Sequence, residues 1–216
     1  MSVKKFLIRL VQGAILMVLP FMLLIRVAVL MYEHYHFRGW FCLLIGSMIS
    51  AAILFTYLYY FQERFFAKTL NYRQFQRNYA ILLGIVILYC INSTWSVSIA
   101  NVKEMEVKQE FKNLHPILRL SISTLILFEK DIILTDAERK REDYREMGLP
   151  SKKYSLHYEQ SSGYAHAVDI RTKGHSWLRN KLIQAYFELM GFNTLIHKGT
   201  AEHLHVSLSS VDSQGI

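Results

Sequence analysis

Apolar residues gather in three long runs over the first hundred positions and in short alternating stretches after them. The first run, residues 6–31, is broken only by a few polar positions, Arg9 and Arg26 among them, and carries Pro20, which predicts a kink. About twenty apolar residues suffice to cross the hydrocarbon core of a bilayer. The pattern therefore predicts transmembrane helices over 10–31, 40–61 and 79–100. The second ends in Tyr57, Tyr59, Tyr60 and Phe61, an aromatic cluster of the kind found at membrane interfaces. The third becomes polar at Asn92-Ser93-Thr94-Trp95-Ser96, which blurs its exit. The first run is too long for a secretory leader and lacks a small-x-small cleavage site.

Beyond residue 100 the periods shorten. Residues 101–113 read as a solvated stalk helix with a weak apolar stripe at Val102, Met105 and Phe111. Pro116 opens a helix through Leu118, Ile122, Leu125 and Leu127. Ile132–Thr135 predicts a short strand, and Asp136 the cap of a helix over Ala137–Met147 that Gly148-Leu149-Pro150 stops. Ala167–Arg171 reads as a strand, and Ser176–Met190 as an amphipathic helix ended by Gly191. Phe192–His197 and His203–Leu208 predict an antiparallel pair around Lys198-Gly199-Thr200, with 209–216 a flexible tail. The fold class is thus a three-helix membrane region followed by an α+β domain with a small antiparallel sheet.

Charge sets the orientation. Residues 1–100 hold nine Lys/Arg against two acidic residues, whereas residues 101–216 hold sixteen against fifteen. The membrane half therefore carries +7 of the net charge of +8, which argues against a nucleic-acid partner and for basic loops flanking spans. Lys4, Lys5 and Arg9 precede the first span, and Arg64, Lys68, Arg73 and Arg77 lie between the second and third. These segments should face the cytoplasm, which sends residues 101–216 to the other side. The bilayer is one expected partner, and the spans could also carry homo- or hetero-oligomerisation. The two cysteines, Cys42 and Cys90, both fall in apolar runs, so the second half has no Cys-based zinc site or disulfide.

Candidate chemistry lies in two stretches. Ser155-Leu156-His157 leads to Gly163-Tyr164-Ala165-His166-Ala167-Val168-Asp169-Ile170, and Glu202-His203-Leu204-His205-Val206 follows near the C-terminus. Histidine nitrogen and carboxylate oxygen are a ligand set that suits zinc. In an extended Ala167–Arg171, Asp169 faces away from Val168 and Ile170, as a ligand on a rigid strand should; alone, it would read as a solvated Asp on an edge strand. His203 and His205 share a face, so either or both could approach a metal, whereas Glu202 has the opposite parity. His34 and His36 lack matching context, and His115, His166, His175 and His197 read as structural or exposed.

The order Ser-x-His, Gly-x-Ala-His-Ala-Val-Asp-Ile, Glu-x-x-His-Val over residues 114–208 resembles the zinc peptidases of the D-alanyl-D-alanine carboxypeptidase and L-alanyl-D-glutamate endopeptidase group. These are the VanY-like enzymes and phage endolysins that share a fold with hedgehog and lysostaphin. Eleven residues separate His157 from Asp169, a spacing similar to the longer phage-type variant. The resemblance implies a hedgehog-like domain with one zinc held by His157, Asp169 and His205, and Glu202 as acid-base residue. It also implies Arg139 as oxyanion-stabilising cation with Arg141 as runner-up, Ser155 and His203 near substrate, and peptidoglycan peptide stems as substrate. The expected setting is a bacterial inner or virion membrane with this domain periplasmic. The competing expectation is a non-enzymatic membrane protein that keeps the fold for wall binding, since a fold does not fix an activity.

Overall fold

The computed structural model describes residues 3–66, 71–140, 154–199 and 202–210. Helices α1 (Val3–Tyr35), α2 (Gly39–Phe66) and α3 (Tyr72–Trp95) are each long and apolar enough to cross a membrane. α1 and α2 outlast their apolar runs at both ends, and α1 continues through Pro20. His36, in a left-handed conformation (φ 54°), reverses the chain between them. The pair packs closely because Gly46 lies under the Leu24 carbonyl, where a Cβ would collide. Ser47 meets Cys90 to join α2 to α3.

The third helix departs from its predicted 79–100. It starts seven residues early, because Asn71 and Gln74 form a reciprocal capping box. It stops at Trp95, where Ser96 turns extended. Residues beyond it are recruited elsewhere: the Asn101 side chain donates to the carbonyls of Lys130 and Ile132, both at 2.8 Å. The predicted stalk is likewise not a solvated helix. Only Met105–Glu110 (α4) is α-helical, Phe111 is fully buried, and Val102 bridges to Leu134. Two of the three residues of the expected weak stripe, Val102 and Phe111, are core contacts of the domain.

Helix α5 (Pro116–Phe128) has proline in its first turn and is buried from Pro116 through Ile122. It runs antiparallel to α3. Arg119 Nη1 donates to the Thr94 carbonyl (3.0 Å), Ser123 Oγ to the Ser93 carbonyl (2.6 Å), and the Thr124 and Tyr89 hydroxyls meet at 2.7 Å. Helix α6 (Trp177–Met190) is capped by Ser176, whose side chain accepts from the Arg179 N–H, and by the left-handed Gly191. The Tyr186 hydroxyl donates to the Ser121 carbonyl of α5 (2.8 Å). Gly191 abuts Arg26 and Val29 of α1. One continuous core therefore runs from the long helices into the domain.

Strands β1 (Leu134–Asp136), β2 (Ala167–Arg171), β3 (Asn193–His197) and β4 (His203–Ser207) form an antiparallel sheet in the order β1-β2-β4-β3. Val168, Ile170, Leu204 and Val206 are buried on one face. The other face carries Asp169 opposite His205 and Arg171 opposite His203. Asp136 ends β1 and does not cap a helix. Residues 137–140 are irregular, and the remainder of the helix predicted over Ala137–Met147 lies outside the described residues. Of the predicted tail, Ser209 and Ser210 pack onto the domain: the Ser209 carbonyl approaches His166 Nδ1 (3.2 Å), and Ser210 is buried. Residues 211–216 lie outside the described residues.

Candidate metal centre

Three segments converge above the polar face of the sheet. β2 presents Asp169, β4 presents His205 at the paired position, and the turn at 155–160 brings His157 over them. The turn is fixed locally. Ser155 Oγ accepts from the His157 N–H (3.3 Å), and the Gln160 side chain donates to the carbonyls of Ser155 (3.0 Å) and Tyr158 (2.7 Å). Arg139 N–H donates to the His157 carbonyl (2.9 Å), tying that turn to the chain leaving β1.

His157 Nε2, His205 Nδ1 and Asp169 Oδ1 form a triangle with edges of 3.3 Å between the nitrogens, 3.4 Å from His157 to Asp169, and 2.9 Å from His205 to Asp169. Ligand atoms about 2.0–2.1 Å from a tetrahedral zinc stand about 3.3–3.4 Å apart, so the two edges from His157 match a tetrahedral face, while the 2.9 Å edge between His205 and Asp169 is that of a direct hydrogen bond. Two of its corners are buried, and His205 is half-buried. The outer nitrogen of His157 is also committed: Nδ1 lies 2.6 Å from the Ala137 carbonyl and donates to it, so Nε2 faces the triangle, as a donor to Asp169 when the ring is charged and as a lone pair when it is neutral. The donor set thus fits a zinc ion.

The electrostatics favour an ionised carboxylate. Burial raises the Asp169 carboxyl, yet hydrogen bonds from His157 and His205, with the His157 and His203 charges, outweigh it and hold the group well below the ordinary carboxylate range. For His157, burial lowers the imidazole, and the Asp169 hydrogen bond and charge, Asp136 and the Ala137 carbonyl together raise it. A cation joins the same carboxylate. Arg139 Nη2 lies 3.4 Å from Asp169 Oδ2 and is itself gripped by Asp136. The irregularity between Leu134 and Asp136 places Asp136 opposite Asp169, which allows that grip.

The remaining sequence candidates separate. His203 is beside the centre, with Nε2 3.5 Å from Asp169 Oδ2 and its ring stacked on His197. Ser155 shapes the His157 turn. Glu202 precedes β4, and its backbone carbonyl accepts from Thr172 N–H (3.4 Å). Among the described residues, no hydrogen bond or ion pair joins the Glu202 carboxylate to the three ligand candidates. Arg141 lies outside the described residues. His166 sits fully buried elsewhere, against Ser162, Tyr32 and His115. The supporting roles of the Ala137 carbonyl and Asp136 were not evident from the sequence. A backbone carbonyl leaves no residue-type signal, and Asp136 has the composition of a helix cap.

Comparison of the chain with protein-family models, with curated proteins and with solved structures finds no match.

Proposed function

We propose that this chain is a membrane-anchored, zinc-dependent peptidase that hydrolyses the peptide stems or cross-links of peptidoglycan. The observation that carries the proposal is the His157–Asp169–His205 triangle on the open face of the sheet. The motif order supplies the substrate class, and the basic segments around Lys4, Lys5, Arg73 and Arg77 support a domain facing the periplasm.

His157, Asp169 and His205 would hold the metal, and the Ala137 carbonyl orients the His157 ring. Zinc in such a site supplies Lewis acidity toward a scissile carbonyl and lowers the pKa of bound water. Arg139, positioned by Asp136, faces negative charge developing on the carbonyl oxygen. Glu202 takes a proton from water and returns it to the leaving amine, which requires its carboxylate to swing toward the ligands. His203, on the ligand face, donates to bound peptide.

The test uses the full chain, because the core is shared between helices and domain. Zinc-loaded protein in detergent or vesicles is incubated with purified muropeptides, and products are read by mass spectrometry. New stem cleavage is expected, and Glu202→Gln should reduce it by about 10²- to 10⁴-fold while zinc content holds. Intact muropeptides after incubation with fully zinc-loaded protein would overturn the peptidase reading.

A further inference from the structure

Helix α6 carries more apolar surface than the fold consumes. Ile183, Phe187 and Met190 face the core. Leu178, Leu182 and Leu189, spaced so as to fall on one line along the helix, are 60%, 63% and 63% exposed. A third face is polar: Lys181 Nζ donates to Gln184 (2.8 Å), and Gln184 donates to Glu188 (2.9 Å). Next to the leucine line, the C-terminal turn of α5 exposes Leu127 and Phe128. Between the helices lies an open cleft of about 470 Å³ whose apolar lining is Leu125, Phe128, Leu178, Leu182 and Ile183. Its rim holds an Arg179–Glu129 ion pair (3.3 Å). A contiguous exposed apolar face of this kind marks a binding surface.

What covers it follows from its neighbours. Gly191, two residues past Leu189, abuts Arg26 and Val29, which lie inside the apolar run of α1. α5 descends along α3 from Thr94 to Tyr89, so its last turn runs alongside that apolar helix and not above it. On α3 itself, Ile85, Leu88 and Ile91 are exposed. The leucine line thus continues the exposed apolar surface of the helices that are long enough to span a bilayer. We propose that α6 lies at the headgroup–acyl boundary of the leaflet around the domain-side ends of α1 to α3. Its Leu178, Leu182 and Leu189 and the Phe128 ring then face phospholipid acyl chains. Its Lys181-Gln184-Glu188 face lies among the headgroups, as in an interfacial amphipathic helix. The domain is then seated in the membrane through its own helix as well as tethered by the spans. This inference needs only that α1 to α3 cross a bilayer and is independent of the peptidase reading.

Full-length protein in phosphatidylcholine–phosphatidylglycerol vesicles tests it, with a benzoylphenylalanine photo-crosslinker in place of Leu182. The same group replaces Leu195, exposed on β3 on the polar face of the sheet, and Met17, exposed on α1. Phospholipid adducts at Leu182 and Met17, several-fold above Leu195, are expected by mass spectrometry. Adducts at Met17 but none at Leu182 would overturn the inference. Chain-to-chain crosslinks in place of lipid adducts at Leu182 would overturn it too, by assigning the face to a second copy. Should the crosslinker at Leu182 prevent folding, Leu182→Trp with Trp40, Trp95 and Trp177 changed to Phe gives a second readout. Bromination of the acyl chains should remove roughly half or more of its emission, and unchanged emission would overturn the inference.

Discussion

His157 is held from both sides: its Nδ1 meets the Ala137 carbonyl and its Nε2 faces His205 and Asp169. A ring fixed in that way loses little freedom on binding an ion, so each ligand should matter greatly. His157→Ala, Asp169→Ala and His205→Ala should each weaken zinc binding by roughly tenfold or more, read as metal retained per chain after dialysis. His34→Ala and His175→Ala should retain it fully. Full zinc in His157→Ala would remove this residue from the site. A second residue-scale expectation concerns His115, buried against Tyr32, His166 and Arg119 with its Nδ1 unpaired. Burial first, then the neighbouring His166 and Arg119 charges, push its imidazole well below the ordinary histidine range. The unfolded chain then takes up a proton near pH 6.5 that the folded chain refuses, so stability falls as pH drops below about 6.5. Thermal melts of His115→Phe and the natural chain between pH 7.5 and 5 should diverge, with the variant less acid-sensitive. Parallel pH dependence in the two would remove His115 as the cause.

At the scale of elements, the long helices are close-packed at one identifiable point. Gly46 admits the Leu24 carbonyl, and a methyl there must push α1 from α2, whereas Gly84 has open space where a Cβ would go. Gly46→Ala should cost about 1–3 kcal/mol, as overpacking does. Gly84→Ala should be neutral or slightly stabilising, since alanine is the better helix former. Melting of both proteins in detergent separates the two outcomes, and equal melting temperatures would show that the approach of α1 to α2 relaxes freely. The same scale explains why β1 matters to the site despite its three residues. Its irregular pairing sets Asp136 opposite Asp169, and Asp136 in turn fixes Arg139.

For the whole molecule, three long apolar helices leave the two chain ends on opposite sides if all three cross. Reporter fusions after Asn101 should be active in the periplasm, and fusions within 62–78 should be active in the cytoplasm. A periplasmic signal from the 62–78 fusion would reverse the orientation and remove the domain from the peptidoglycan compartment. Cutting the chain near residue 101 would expose the faces of α5 and α6 that now meet α1 and α3. The domain stands apart in hydropathy period and charge pattern, not in its packing.

Features that depend on local composition and period are written in the chain directly. Hydropathy runs gave the three long helices, alternation gave β2 with Asp169 opposed to Val168 and Ile170, and the amphipathic run from Ser176 to Met190 with its Gly191 stop gave α6. The sequence also placed His203 and His205 on one face, because strand parity needs only the pattern. Relations between distant segments emerged only on folding. The stripe at Val102 and Phe111 could face water or a core; the bridge from Val102 to Leu134 of β1 and the full burial of Phe111 settled it. The exit of α3 depended on Asn101 finding carbonyls near residue 130. Bringing His157 over Asp169 and His205 required a turn whose path is set by Gln160, Arg139 and the Ala137 carbonyl. Backbone carbonyls and register shifts carry no residue-type signature, so the support of the site emerges only when the chain is folded.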